Sequence, residues 1–363
     1  MSKRQLYFSS GPTMIVPEVM KQVHDELLNY RNMGISVMEM RARTKEFGLI
    51  IDEAESDLRK LMDIPDNYSV LFMHGGARTQ FDSIPMNLCP ENSSAEYIVT
   101  GTWSMTAANE AEKHACVQRQ VLLQDSATRV PNFEELKSKN SVAYRYYCDN
   151  ETAQGLEFNY IPVDGQVPLV CDMSSNFLSR PIDVIKYGLI FAGAQKNCGI
   201  AGLGIVVVRN DLIGKQRSHT PTLQNYKVIA ESKSLHNAPP TFAIYVAGLC
   251  FKWLLRNGGL EAMDKISKEK SDLVYDTIDN SNGFYTCPVS CESRSRMNVV
   301  FSIANNKQLE TEFITEAANE GLYELKGHMS VGGLRISLYH GIGLDDVKRL
   351  VKFMEAFRAK NAA

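Results

Sequence analysis

The chain has 363 residues, with 39 Lys plus Arg against 42 Asp plus Glu and a formal net charge of -3. A chain of this length buries roughly three quarters of its unfolded surface and is typical of about two domains. Its charge balance excludes a general electrostatic attraction to nucleic acid or to an anionic membrane, so small-molecule partners are favoured.

The cysteines are scattered along the chain without a C-x-x-C pair. The closest pair, Cys287 and Cys291, has no His or second Cys pair nearby, so we expect reduced thiols and no metal site. Gly11, Pro12 and the polar Ser9-Ser10 interrupt any apolar core of a signal peptide, and no run of about eighteen apolar residues occurs. We expect a cytoplasmic protein.

The first two thirds of the chain alternate helix and strand signals. Apolar residues recur every three or four positions over residues 43–62, which predicts an amphipathic helix ended by Pro65. Residues 69–73 then predict a strand that leads into a Gly-rich turn and a helix start. Such alternation predicts a mostly parallel sheet covered by helices. Further strands are predicted at residues 97–100, 143–148, 167–171, 188–192 and 204–208.

The pattern changes after a predicted helix at residues 241–256, where Asn257-Gly258-Gly259 punctuates the chain. A long charged helix is predicted over residues 260–278, and a compact α/β unit follows. Its predicted strands are 297–303 and 334–339, and its predicted helices are 308–320 and 345–358. We therefore predict a large domain at residues 16–258 and a small C-terminal α/β domain at residues 259–363, to which residues 1–15 are added.

Lys196 and Asp172 follow two of the predicted strands. Side chains at the carboxyl ends of strands in an open α/β sheet face the crevice where such sheets bind ligands. Pyridoxal phosphate needs an amine to form an imine and an anion to keep its pyridine nitrogen protonated. Taken alone, such a Lys is usually a solvated charge and such an Asp a turn former. The pair suggests a pyridoxal phosphate enzyme.

The segment Gly75-Gly76-Ala77-Arg78 follows a predicted strand. Small residues at a helix start let backbone N–H groups approach a phosphate, although a tight turn without a ligand explains the four residues equally well. Gly199, Gly202 and Gly204 precede a strand instead of following one, which argues against a dinucleotide-binding loop.

Three other residues have both a functional and a structural interpretation. Trp103 follows a predicted strand and suits stacking on a pyridine ring, but it suits the core as well. The Thr152 hydroxyl suits a bond to the cofactor's 3'-oxygen or a helix cap. Arg335 starts a strand of the small domain, where its guanidinium suits a carboxylate clamp or a surface charge.

Together these motifs resemble the phosphoserine aminotransferase family of fold-type I pyridoxal phosphate enzymes. The resemblance extends over almost the whole chain, and the order and spacing of the short motifs carry it. They are Phe8-Ser9-Ser10-Gly11-Pro12, Gly34 to Glu39, His74 to Arg78, Asn150-Glu151-Thr152, Asp172 to Ser175, Ser179 to Asp183, Gly193 to Asn197, Pro239-Pro240-Thr241, Arg294 to Asn298, Lys326-Gly327-His328 and Gly332 to Arg335.

The resemblance implies a fold-type I α/β architecture with a mostly parallel, seven-stranded sheet, a homodimer, and pyridoxal phosphate as the cofactor. It makes Lys196 the Schiff-base lysine, Asp172 the pyridinium partner, Trp103 the stacking aromatic and Thr152 the 3'-oxygen contact. The contacts to the cofactor phosphate fall on the backbone of Ala77 and Arg78, on Gln195, and on Asn237 of the partner subunit. Arg335 matches the clamp for the substrate α-carboxylate, and Arg43 and His328 match positions that receive the distal acidic group.

Three positions depart from the family pattern. Ala42 replaces a His beside Arg43, Ala238 replaces a Thr at the cofactor phosphate, and Met329 replaces an Arg near the substrate phosphate. The changes at Ala42 and Met329 weaken the expected recognition of a phosphorylated substrate, for which Arg41 is a candidate replacement.

The resemblance implies transfer of an amino group between L-glutamate and 3-phosphohydroxypyruvate, giving O-phospho-L-serine and 2-oxoglutarate in serine biosynthesis. An aminotransferase for a different acidic oxo acid is the alternative that the departures allow. A cysteine desulfurase would have a His before the lysine, where this chain has Gln195. A binding protein of this fold without catalysis would be expected to lack Lys196 or Asp172.

Overall fold

The computed structural model describes residues 4–122, 128–136, 141–163, 165 and 167–362. Most of its strands belong to one large sheet and one small sheet. The strands are β1 (Leu6–Tyr7), β2 (Tyr68–His74), β3 (Ser94–Val99), β4 (Cys116–Val121), β5 (Arg145–Cys148), β6 (Asn150–Glu151), β7 (Leu156–Glu157), β8 (Leu169–Asp172), β9 (Leu189–Gly193), β10 (Leu203–Arg209), β11 (Tyr285–Thr286), β12 (Asn298–Ile303), β13 (Leu322–Tyr323) and β14 (Leu334–Ser337).

The helices follow the periodic apolar patterns of the sequence. The predicted helix at residues 43–62 begins two residues later, because the Thr44 hydroxyl accepts a hydrogen bond from the Phe47 N–H and caps it. The α-helices are α1 (Pro17–Glu26), α2 (Lys45–Met62), α3 (Gly76–Leu88), α4 (Thr102–Ala111), α5 (Tyr226–Glu231), α6 (Thr241–Arg256), α7 (Gly259–Asp279), α8 (Lys307–Asn319) and α9 (Leu344–Asn361).

The large sheet has seven strands in the order β2-β10-β9-β8-β5-β3-β4. The pairs from β9 to β4 are parallel, and only β10 runs against its neighbours β2 and β9. The predicted mostly parallel sheet of a fold-type I α/β protein is therefore confirmed. Because β5, β8 and β9 are parallel and adjacent, Cys148, Asp172 and Phe191 lie side by side near the carboxyl ends of these three strands.

Helices cover both faces of this sheet. Alternate strand residues point to opposite faces, and those on one side pack in a core with α2 and α6. The residues between them pack on the other side with α3 and α4. Val70 and Phe72 belong to the first core and Leu71 and Met73 to the second. Burial on both faces explains why these strands read as continuous apolar runs.

A separate core joins the C-terminal elements to the start of the chain. It contains residues of β1, β12, β14, α7, α8 and α9. Strand β1 pairs in parallel with β13, with Leu6 opposite Leu322, and β11, β12 and β14 form a three-stranded sheet. These elements all lie within the predicted small domain, whose boundaries stay a prediction. Residues 1–3 and 363 of that domain lie outside the described residues.

In the part of the chain that the structure describes, no helix combines the length and apolarity needed to cross a membrane.

Candidate active site

A cavity of about 320 Å³ opens at the carboxyl ends of β5, β8 and β9. Its volume is in the range of small-molecule sites, and it lies where open α/β sheets bind ligands. The lining combines small residues with a few polar and aromatic side chains. These are Ser10, Gly11, Gly75, Gly76, Ala77, Arg78, Phe81, Trp103, Cys148, Asn150, Thr152, Asp172, Ser174, Ser175, Gln195, Lys196, Ala201 and Gly202.

Lys196 and Asp172 contribute opposite charges to this cavity. Asp172 ends β8, and its Oδ1 accepts a hydrogen bond of 2.9 Å from the Ser174 N–H. Burial raises the pKa of Asp172, and the positive charge of Lys196 acts against that rise. Burial likewise lowers the pKa of Lys196, and the charge of Asp172 acts against that fall. Each side chain therefore stabilises the charged form of the other.

Trp103 is fixed across the cavity by the segment that follows β5. Its indole Nε1 donates a hydrogen bond of 2.6 Å to Thr152 Oγ1. The Arg78 guanidinium carbon lies 5.7 Å from the centre of the Trp103 ring, within reach of a cation–π contact. Arg335 Nη1 donates a 3.3 Å hydrogen bond to the Thr152 carbonyl oxygen. An aromatic ring, a hydroxyl and a guanidinium thus meet at one side of the site.

The Gly-rich turn forms the start of α3, with Gly75 at φ 87° and Gly76 at φ 68°. A Cβ at Gly75 would lie 1.8 Å from Thr79 Oγ1, so the turn requires glycine there. The first N–H groups of a helix lack intrahelical acceptors and suit an anion.

The cavity also offers polar groups to a phosphorylated aromatic cofactor. The Gln195 side chain lines the cavity, and its amide N–H₂ group can donate hydrogen bonds to an anion. Together with the N–H groups at the start of α3, this amide suits a phosphate at one end of the cavity. Asp172 suits a ring nitrogen and Lys196 an aldehyde, so the residues present fit pyridoxal phosphate. Within the described ranges, no group of three or more His, Cys, Asp or Glu side chains is arranged to hold a metal ion.

Comparisons with known proteins agree with this site. The chain matches the family Aminotransferase class-V over residues 5–350. It is 48% identical over 358 residues to the phosphoserine aminotransferase of Drosophila melanogaster, covering 98% of each chain. The chain belongs to the phosphoserine aminotransferase family.

Solved structures of the phosphoserine aminotransferase family have the same fold. The enzyme of Bacillus circulans subsp. alkalophilus is 39% identical with a TM-score of 0.95, covering 99% of both chains. The pyridoxal phosphate-bound enzyme of Trichomonas vaginalis is 39% identical with a TM-score of 0.93, covering 97% of this chain and 100% of that one. The predicted family, fold type and cofactor are confirmed.

The structure gathers only some of the residues that the family resemblance implied. Those that line the cavity are Ala77, Arg78, Trp103, Thr152, Asp172, Gln195 and Lys196. Arg335 and His328 lie beside this group: Arg335 contacts Thr152, and the His328 ring centre is 6.4 Å from that of Trp103. Burial, and then the charge of Arg335, lower the pKa of His328, which favours its neutral form.

Arg43 and Asn237 lie close together but do not line the cavity of their own chain. Arg43 Nη2 donates a 3.3 Å hydrogen bond to the backbone oxygen of His236, the residue before Asn237. Both Arg43 and Asn237 are exposed.

The three departures from the phosphoserine aminotransferase pattern differ in their surroundings. Ala42 is buried, although Arg41, the residue before it, is exposed. Ala238 is also exposed. Met329 is 94% exposed and projects into solvent.

Three further residues support the site but were not predicted as site residues. Thr13 Oγ1 donates a 2.6 Å hydrogen bond to the Lys196 carbonyl oxygen, 183 positions away. Ser174 Oγ accepts a 3.1 Å hydrogen bond from the Gly193 N–H, which ties the loop after Asp172 to the end of β9. Asn150 Nδ2 donates to Ser175 Oγ at 2.8 Å. Each of these residues lies in or directly beside a quoted motif, which was the available signal.

Proposed function

We propose that this chain is a pyridoxal phosphate-dependent aminotransferase that moves an amino group between L-glutamate and 3-phosphohydroxypyruvate, giving O-phospho-L-serine and 2-oxoglutarate in serine biosynthesis. The observation that carries the proposal is the meeting of Lys196 and Asp172 in one cavity with Trp103 and Thr152. The relatives named phosphoserine aminotransferase support the choice of substrates.

Pyridoxal phosphate, when bound, supplies an aldehyde that takes up the amino group and a ring that accepts electrons from the substrate. Asp172 holds a proton on the ring nitrogen through its negative charge. Trp103 would stack on the ring, and the Thr152 hydroxyl would contact the 3'-oxygen. The backbone N–H groups of Ala77 and Arg78 and the Gln195 amide bind the phosphate.

Lys196 moves the proton in both half-reactions. Burial favours its neutral amine, the form that can accept a proton, while Asp172 stabilises the ammonium that results. The Lys196 Nζ would take the proton from the substrate Cα and return it to the C4' carbon of the cofactor. An amine whose pKa is lowered by burial is suited to accept and release a proton in each turnover.

Arginines select the acidic substrates. Arg335 Nε is buried without a hydrogen-bond partner in the described part of the chain, so the guanidinium retains donors for the α-carboxylate. We assign Arg43 and His328 to the distal acidic group.

The active sites are shared between two subunits. Arg43 and Asn237 are adjacent but outside the cavity of their own chain, as expected if they serve the other subunit's site. Residues 20–49, the stretch of chain that includes Arg43, expose six large apolar side chains, as expected of residues that a partner subunit covers. They are Met20, Leu28, Met33, Ile35, Met38 and Leu49. A homodimer in which Asn237 of the partner subunit reaches the cofactor phosphate accounts for both observations.

We propose the cytoplasm as the compartment, in line with the scattered, reduced cysteines expected from the sequence. Two Arabidopsis thaliana relatives are named chloroplastic, so family membership alone does not fix the compartment. Imaging of the full-length protein in its own cells tests this assignment, and an organellar signal would contradict it.

The alternative, an aminotransferase for a different acidic oxo acid, is not favoured by the named relatives. One experiment separates the two. The purified protein is loaded with pyridoxal phosphate and converted with glutamate to its amino form, and oxo acids are then screened for return of the aldehyde absorbance. We expect 3-phosphohydroxypyruvate to restore it faster than oxaloacetate or pyruvate, and a faster unphosphorylated acceptor would establish the alternative.

A further inference from the structure

The N-terminus of helix α4 is capped by a distant segment of the chain. Its N-cap residue is Gly101, which has no side chain to accept hydrogen bonds from the first turn. Glu151 takes that place: its Oε2 accepts from the Trp103 N–H and its Oε1 from the Ser104 N–H, both at 2.8 Å. A carboxylate in this position also interacts favourably with the helix dipole.

The buried Glu151 carboxylate has both space beside the helix and hydrogen-bond donors for its oxygens. Glu151 is 1% exposed, and Ser104 Oγ donates a third hydrogen bond of 2.5 Å to its Oε1. A Cβ at Gly101 would lie 2.5 Å from Glu151 Cδ, so the absence of a side chain at Gly101 lets Glu151 approach the helix. Buried carboxylates persist when such bonds compensate for lost hydration.

Adjacent residues bind the two ends of Trp103. Glu151 accepts from its backbone N–H, and Thr152 Oγ1 accepts from its indole Nε1 at 2.6 Å. Two fixed points restrict the rotation of the indole about its side-chain bonds. The ring is therefore held across the cavity by residues 151 and 152 together.

We propose that Glu151 is a positioning residue that orients Trp103 for stacking on the cofactor ring. This inference rests on the proposed function. Gln154, in the same segment, directs its side-chain hydrogen bonds to Thr102 in the described part of the chain: its Oε1 accepts from the Thr102 N–H at 3.2 Å and its Nε2 donates to Thr102 Oγ1 at 2.8 Å. Gln154 therefore provides a matched control that loosens the same helix end without touching Trp103.

The test compares Glu151→Gln with Gln154→Ala in a Trp253→Phe background, where Trp103 is the only tryptophan. The Gln side chain keeps the size of Glu but replaces one oxygen acceptor with an N–H₂ donor, so one of the two backbone N–H groups loses its acceptor. Acrylamide quenching of Trp103 fluorescence in the cofactor-free protein reports how firmly the indole is held.

We expect quenching to increase in Glu151→Gln and to stay unchanged in Gln154→Ala. Misplaced stacking should also weaken pyridoxal phosphate binding by up to about tenfold in Glu151→Gln and alter the visible circular dichroism of the bound cofactor. If Glu151→Gln does not fold, Glu151→Asp keeps the charge but shortens the reach, and the same changes are expected to a smaller degree.

Equal quenching in the Glu151→Gln and parent proteins would overturn the proposal, as would an equal increase in Glu151→Gln and Gln154→Ala. The first result would leave Glu151 as a helix cap without influence on the indole, and the second would indicate general loosening of α4. Quenching is measured without substrate, so a failure of the proposed reaction would be recognised separately by the oxo acid screen.

Discussion

Lys196 is the residue on which the proposed amino transfer depends. We expect Lys196→Ala to fold normally and to lose amino transfer from glutamate, because no amine remains to move the Cα proton. Lys186→Ala, which removes an exposed lysine, is the control and should retain activity. Stopped-flow absorbance follows the half-reaction, and borohydride reduction with peptide mapping locates the cofactor. A pyridoxyl label on another lysine would contradict the assignment.

In the proposed mechanism, Asp172 contributes to catalysis through its charge. Asp172→Asn keeps the size of the side chain but removes the anion that holds the ring-nitrogen proton. We expect kcat to fall about 100-fold or more, as for the loss of one preorganised electrostatic group. The dissociation constant for pyridoxal phosphate should change less, because the phosphate contacts stay intact. Half-reaction rates near those of the unaltered protein would remove Asp172 from the mechanism.

Arg41 is the candidate replacement for the cation that the family has where this chain has Met329. One charge-assisted hydrogen bond contributes about 1.5 to 3 kcal/mol, which corresponds to roughly 10- to 100-fold in affinity. We expect Arg41→Ala to raise the KM for 3-phosphohydroxypyruvate by about tenfold and to change that for glutamate much less. Equal, small effects on both substrates, matching a Lys45→Ala control, would identify Arg41 as a solvated residue.

At the scale of elements, a buried lysine joins α7 to the turn between β14 and α9. Lys270 is 1% exposed, and as an ammonium its Nζ donates to the carbonyl oxygens of Leu338, Tyr339 and Ile342 at 2.6, 3.1 and 3.0 Å. The same turn reaches the active site, since the His340 N–H donates to Asn197 Oδ1 at 3.3 Å. Lys270 therefore helps to fix the segment that supports the residue after Lys196.

Burial lowers the pKa of Lys270 from 10.5 to about 7, with the charge of Asp346 acting against the shift. Between these pH values the unfolded chain binds a proton that the folded chain does not, so this group makes folding more stable as the pH rises. We expect the free energy of unfolding, relative to Lys270→Met, to increase by on the order of 1 kcal/mol per pH unit in that window. Denaturant titrations from pH 7 to pH 10 measure it, and parallel curves for the two proteins would contradict it.

At the scale of the whole molecule, the proposed shared site predicts complementation between two variant subunits. A mixed dimer of one Lys196→Ala and one Asn237→Ala subunit has one site with both native residues if Asn237 serves the partner's cofactor. We expect such a dimer, purified through two different tags, to have roughly half the activity of the unaltered dimer and one site of native cofactor affinity. If Asn237 acted within its own chain, neither site would be native and cofactor binding would stay weak.

The sequence determined the elements, because their periodic patterns depend on residues a few positions apart. The helix predicted at residues 241–256 is α6, Thr241–Arg256, and the strand predicted at 188–192 is β9, Leu189–Gly193. The edge strand β4, Cys116–Val121, was not predicted, since its side chains are partly or fully exposed and lack an apolar run. Local pattern detects an element only where the element is buried on a regular face.

The sequence also determined the chemistry, because an amine, a carboxylate and a glycine turn at strand ends restrict the ligand that they suit. Tertiary structure decided which residues share one cavity. It placed Trp103 in the site, although its sequence context alone favoured the core, and set Thr13 against Lys196. It left Arg43 and Asn237 outside the cavity of their own chain. These relations depend on contacts between segments that are far apart along the chain. Patterns among residues a few positions apart do not reveal such contacts.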